Sequence, residues 1–143
     1  MPLPFLITCT LPSVGLYQLS DGRFQLIEQG PLAPFMYGYR YLLVEKALAE
    51  FLEHAQVERV GCKPAVLFNR ATGEEHHTHV QLHVGHFFTE NQLLDLALEG
   101  PRLLTMNDQY YFATPELKAK LEAGAFSYLR FSEGLSAFAS NAT

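Results

Sequence analysis

The chain contains no tryptophan, only two cysteines and few charged residues, and these scarcities narrow its class. Neither Cys9 nor Cys62 belongs to a Cys-x-x-Cys pair, and two thiols make a poor disulfide scaffold, so the sequence indicates a reducing compartment. Charged residues make up 17% of the chain and hydrophobic residues 48%, which is typical of a folded protein and not of a disordered one. With 143 residues, a single domain over residues 1–143 is predicted.

The sequence also lacks a cluster of basic residues and a long apolar run. Fifteen acidic and ten basic residues give a formal net charge of −5. A nucleic-acid binder gathers basic residues to neutralise phosphates, so we expect no nucleic-acid partner. The acidity would suit a basic protein partner, although solubility is its simpler cause. The apolar run in residues 1–9 is short and interrupted by prolines, which predicts neither a secretory signal nor a membrane span, and we expect a cytoplasmic protein.

The residues that are present are organised around positions 41–60. Apolar residues recur there at spacings of three and four, which predicts a helix with one buried stripe: Val44, Ala47, Leu48, Phe51, Leu52 and Ala55. Short apolar segments at 41–43 and 57–60 are predicted strands. The same order returns sixty-nine residues later, in residues 110–122, where the identical pairs are Tyr41 and Tyr110, Leu48 and Leu117, Leu52 and Leu121, and Glu53 and Glu122. The sequence therefore predicts an internal strand-helix-strand repeat.

The remaining segments predict mainly strands and turns. Residues 16–19 and 24–27 are expected to form a hairpin around the turn at 20–23, and further strands are predicted at 5–10, 64–68, 103–105, 110–113 and 126–131. Thr89 and Gln92 form a capping-box pattern that opens a second helix, and Thr114 with Pro115 opens a third. The tail from residue 136 is expected to fray. The predicted fold class is α+β, an antiparallel sheet with about three helices packed on one side.

The most unusual composition is the histidine-rich run at residues 76–86. Its alternation predicts a strand with Thr78, Val80, Leu82 and Val84 on the core side and with His77, His79, Gln81 and His83 in water. The alternative is a metal-binding protein or metal-dependent enzyme that uses His77, His79 and His83. The spacing does not complete a cupin site, which needs a glutamate and a later histidine. It also lacks the glutamate of a helical metalloprotease site.

No other segment carries a recognised catalytic motif. Cys62, between Gly61 and Lys63, could have a lowered pKa, although a buried strand end is the simpler interpretation. A Gly-x-Ser-x-Gly elbow and a glycine-rich phosphate loop are both absent from the sequence. We therefore expect a protein that is not an enzyme and that needs no cofactor or metal.

Two segments carry a family resemblance. They are Thr114-Pro115-Glu116-Leu117-Lys118-Ala119-Lys120-Leu121 with Phe131, and residues 43–52 followed by Pro64; residues 70–74 leading into a strand are also similar. Over residues 40–131 the chain resembles a family of bacterial immunity proteins, immunity family eleven and its relatives, which are encoded beside polymorphic toxins. The resemblance implies a cytoplasmic protein that binds and neutralises a cognate toxin. It implies no catalytic residues.

The contact surface for such a partner is predicted from accessibility. An exposed polar strand and the turn before it offer Glu74, Glu75, His77, His79 and His83 as the partner-binding residues. Acidic residues would steer a basic partner toward this surface, and aromatic residues would prolong the complex. An open sheet edge could also pair two copies of the chain into a homodimer.

Overall fold

The computed structural model describes residues 2–140, with side chains up to Phe138, and its strands form three four-stranded sheets. The strands in chain order are β1 (Phe5–Cys9), β2 (Leu16–Gln18), β3 (Phe24–Leu26), β4 (Phe35–Gly38), β5 (Tyr41–Glu45), β6 (Val60–Pro64), β7 (Leu67–Phe68), β8 (Glu75–His76), β9 (His79–Val84), β10 (Leu103–Met106), β11 (Tyr110–Ala113) and β12 (Leu129–Glu133). The helices are α1 (Lys46–His54), α2 (Pro115–Ala123) and the short α3 (Ser136–Ser140), and a 3-10 helix spans Glu90–Asp95.

Two of the sheets are built in the same way, in agreement with the predicted repeat. Their strand orders are β4-β5-β9-β6 and β10-β11-β1-β12, and all neighbours are antiparallel. In the first unit the β4–β5 hairpin leads into α1 and then into β6, and in the second unit the β10–β11 hairpin leads into α2 and then into β12. Both helices have nine residues. Because the helix joins two strands that run in the same direction, it leaves room for one strand between them. Strand β9 fills that place in one sheet, and β1, from the start of the chain, fills it in the other.

The registers of the two sheets match as closely as their order. Cys62 pairs with Leu82 in one sheet, and Phe131, sixty-nine residues after Cys62, pairs with Ile7 in the other. Leu82 and Ile7 are both buried in one central cluster, which also contains residues of both helices. The two units therefore share a core. Each sheet also buries residues on its other face, Leu43 of the first sheet in a second apolar cluster and Phe112 of the second sheet in a third.

The third sheet is a small layer that packs beside the first unit. Its order is β2-β3-β7-β8, with an antiparallel β2–β3 hairpin and a parallel pairing of β3 with β7. The hairpin turns at Gly22, whose φ of +92° is the conformation that glycine adopts without a Cβ clash. Phe24 and Leu67 are both fully buried and belong to the second apolar cluster, which joins this sheet to Met36 and Leu43.

The predicted fold class is confirmed as α+β and mostly antiparallel, but the prediction of one sheet with about three helices on one side is wrong. The strands divide among three sheets because each of the two units forms a sheet of its own, and the β2–β3 hairpin forms the third with β7 and β8. The first helix begins at Lys46, and Val44 belongs to the preceding strand. Ala47 is exposed, whereas Leu48, Ala49 and Leu52 are buried.

The third predicted helix forms as expected, but the second does not. The Thr114 hydroxyl accepts a hydrogen bond from the Leu117 amide at 3.5 Å, with Pro115 in the first turn. At the second site the Thr89 amide donates to the Gln92 side-chain oxygen at 2.9 Å, but the segment is a 3-10 helix without a fully buried residue. Residues 136–140 are helical where fraying was expected, and Phe138 stacks edge-on against Tyr110 at 4.9 Å. The rest of that tail, residues 141–143, lies outside the described residues.

Candidate functional site: the groove between α1 and β6

The clearest difference between the two units lies between the helix and the last strand. In the second unit Lys118 of α2 fills this space: its ammonium group lies 4.9 Å from the ring centre of Phe5 and 5.7 Å from that of Phe131, and it pairs with Glu122 at 2.8 Å. Sixty-nine residues earlier, the positions of Lys118 and Phe131 are occupied by Ala49 and Cys62. These small side chains leave a cavity of about 530 Å³.

We call this cavity the α1–β6 groove, and its lining combines an apolar floor with a charged rim. The floor consists of Ala49, Cys62, Pro64, Ala65 and Val80, and the rim consists of Lys46, Glu50, Glu53, Lys63, His77 and the edge of His79. A second cavity of about 300 Å³, lined in part by Leu52, Val57 and Val60, continues the groove along the helix. Apolar floors with a few charged groups at the rim are typical of binding sites.

One wall of the groove is an open strand edge. Strand β6 ends its sheet, and its exposed residues run from Gly61 to Pro64. The Ala65 amide donates to the His79 carbonyl at 3.3 Å and the Gly85 amide donates to the Arg59 carbonyl at 2.8 Å. Since hydrogen-bonding direction alternates along an antiparallel strand, Val60 and Cys62 direct their backbone N–H and C=O groups away from β9. The edge can therefore accept an added strand.

The thiol in the groove is not an activated nucleophile. Partial burial raises the pKa of Cys62, and the negative charge of Glu53 raises it further. The lowered pKa that the sequence allowed is therefore wrong, because partial burial and the neighbouring carboxylate outweigh any effect of Lys63. The expected buried position is also wrong, since Cys62 is an exposed residue of the edge strand β6. A thiol with a raised pKa is mostly protonated at neutral pH and is a poor nucleophile and metal ligand.

The predicted partner-binding residues do not form one surface. Glu74, just before β8, and Glu75, the first residue of β8, are both exposed. His77 is also exposed and lies at the rim of the groove, with its ring 3.3 Å from the Glu75 carboxylate. His83 is exposed but lines a different cavity. Of the predicted residues, His77 and His79 line the groove, Glu75 lies beside His77, and His83 lies apart.

His79 is buried, so its predicted place on a solvated face is wrong. Its exposure is 5%, and its Nε2 lies 2.8 Å from the Ala33 carbonyl, which can only accept, so Nε2 carries the proton. The Thr78 hydroxyl lies 2.8 Å from Nδ1 and completes the pairing. Gln81 is also buried, at 2%, against the same prediction. The third sheet and the segment around Ala33 cover this face of β9. The sequence signal for this cover was the apolar residues of the predicted hairpin at 16–19 and 24–27, which need a layer to pack against.

This burial makes the three histidines separable by mutation. We expect His79→Ala to lower the free energy of unfolding by about 1–3 kcal/mol, because it leaves the Ala33 carbonyl unpaired and opens a cavity. His77→Ala and His83→Ala should each change it by less than about 0.5 kcal/mol, because both rings are exposed. Urea denaturation of the three variants measures this, and equal effects at all three positions would contradict the burial of His79.

The geometry also bears on the metal alternative. His79 uses both ring nitrogens within the protein, and His77 and His83 line separate cavities. In the part of the chain that the structure describes, no three histidine, cysteine or acidic side chains gather as a metal site would require.

Comparisons with known proteins returned no relative. The chain matches no protein-family model, and neither the curated proteins nor the solved structures contain a significant match. Within residues 2–140, none of the helices has both the length and the apolarity that crossing a membrane needs.

Proposed function

We propose that this chain is a non-enzymatic cytoplasmic immunity protein that binds and neutralises a cognate bacterial toxin. A segment of the toxin would lie in the α1–β6 groove, with its backbone added to the edge of β6. The observation that carries the proposal is the contrast between the two units: Lys118 and Phe131 fill the site in one, and Ala49 and Cys62 leave it open in the other.

The charge around the groove supports a basic segment as the occupant. Glu50, Glu53, Lys46 and Lys63 line the groove, and the Glu75 carboxylate lies 3.3 Å from His77 at its rim. The two lining carboxylates balance the two ammonium groups, so the adjacent Glu75 and the net charge of −5 are what favour lysine or arginine on the partner. Such complementarity chiefly raises the association rate and selects the partner.

A copurification experiment tests the proposal. The untagged chain would be expressed with the product of the adjacent open reading frame and isolated by gel filtration, and its metal content would be measured on the same sample. We expect a one-to-one complex without stoichiometric metal. Failure to form a complex, with about one zinc or iron ion per chain, would instead support the metal-binding alternative.

A further inference from the structure

A separate cavity, of about 520 Å³, lies between the turns of the β4–β5 and β10–β11 hairpins. Its polar lining consists of Arg40, Arg59, His83, Asp108 and the buried Tyr111, with Phe87 at the rim. The described linings of this cavity and of the α1–β6 groove have no residue in common, so the two sites are distinct.

The backbone at this cavity is held in an unfavourable conformation. Arg40 and Arg59 have φ values of 66° and 59°, the left-handed region that glycine, asparagine and aspartate adopt more readily than arginine. Hydrogen bonds hold the conformation, since the Arg40 amide donates to the Asp108 carbonyl at 2.9 Å and the Gly85 amide donates to the Arg59 carbonyl at 2.8 Å. Glycine at these two positions would relieve the backbone strain, but the chain has arginine at both. This points to a use for the two arginine side chains.

The two guanidinium groups are free to take an anion. Within the described residues, neither Arg40 nor Arg59 lies within 4.0 Å of a carboxylate, and both are exposed. Arg40 stacks over the Tyr39 ring at 5.0 Å, which restrains its side chain. Among the described lining residues Asp108 is the only carboxylate, so the cavity carries a net positive charge in an acidic protein. Arginine is the residue best suited to bidentate phosphate binding.

The rim adds an aromatic surface. Phe87 is 59% exposed in the lining of the cavity, and a bridge to Thr105 fixes its backbone there. A planar group on the ligand can stack there. We propose that this cavity binds a small phosphate monoester of an aromatic or heteroaromatic compound, with the phosphate on Arg40 and Arg59 and the ring on Phe87.

Calorimetric titration in low-salt chloride buffer tests this with two probes, phenyl phosphate and methyl phosphate. We expect saturable one-to-one binding of phenyl phosphate, and weaker binding of methyl phosphate because it lacks a ring. Arg40→Gly and Arg59→Gly should each weaken phenyl phosphate binding by at least about tenfold while the thermal midpoint stays the same or rises, because glycine relieves the left-handed backbone. Arg70→Ala, at an exposed turn outside the cavity, is the matched control and should bind normally.

Each outcome of the titration decides for or against the site. Absence of saturable binding to the wild-type chain would overturn the proposal, and so would unchanged binding in both glycine variants. Equal affinities for phenyl and methyl phosphate would overturn the role of Phe87. Loss of binding in Arg40→Gly and Arg59→Gly, with unfolding midpoints at or above that of the wild type and Arg70→Ala unaffected, would establish the site.

Discussion

Filling the α1–β6 groove with the residues of the other unit should abolish partner binding without unfolding the chain. The variant Ala49→Lys/Cys62→Phe places a lysine over a phenylalanine in the first unit. Lys118 and Phe131 adopt the same arrangement at the matching positions of the second unit. A bound segment would then meet occupied space. We expect the dissociation constant for the toxin to rise by at least about 100-fold, the size of effect seen when a central contact is lost. Calorimetry or competition binding measures the change.

A control on the same helix separates shape from charge. Ala47→Lys adds the same charge to α1 at an exposed position outside the groove, and it should leave the affinity within about threefold of the wild type because surface substitutions have small effects. Circular dichroism would show that both variants are folded. Normal toxin binding by the folded Ala49→Lys/Cys62→Phe variant would show that the partner binds elsewhere.

Truncating the matched helix leucines should destabilise the chain strongly and to a similar extent. Leu117 is fully buried and Leu48 is 2% exposed, and both lie in the central cluster that joins the two units. We expect Leu48→Ala and Leu117→Ala each to lower the free energy of unfolding by about 2–5 kcal/mol, because each removes buried apolar area and leaves a cavity. Urea denaturation followed by circular dichroism measures both.

Leu94 provides the comparison for these two variants. It is 61% exposed in the 3-10 helix, so Leu94→Ala should change stability by less than about 0.5 kcal/mol. Because one cluster contains residues of both units, the wild-type chain should unfold in a single transition, which also tests the prediction of one domain. Two separate transitions, or a loss below about 1 kcal/mol in Leu117→Ala, would contradict the shared core.

Local sequence signals predicted the elements that depend on local physics. The turn at Gly22, the Thr114 cap and the spacing of Leu48 and Leu52 each describe interactions within a few residues, and each prediction is confirmed. The insertion of β1 beside β12 depends on residues at opposite ends of the chain, which no local pattern encodes. The division into three sheets results from such pairings.

The functional surfaces were harder to predict for a related reason. The substitution of small residues at Ala49 and Cys62 is visible once the repeat is aligned, but its meaning depends on knowing that the two positions face each other across a groove. His79 was predicted to be exposed because alternation shows two faces and does not show that both are covered. The left-handed conformation of Arg40 carries no sequence signal, because glycine and asparagine are its usual markers.

Amide hydrogen exchange of the chain with and without its toxin tests the proposed binding site most directly. Strand addition at the open edge predicts that the outward-facing amides of Val60 and Cys62 become protected in the complex. The equivalent edge strand β12, Leu129–Glu133, is the internal control and should exchange at the same rate in both samples. Protection confined to β12 or to other surfaces, with β6 unchanged, would contradict the assignment of the α1–β6 groove as the binding site.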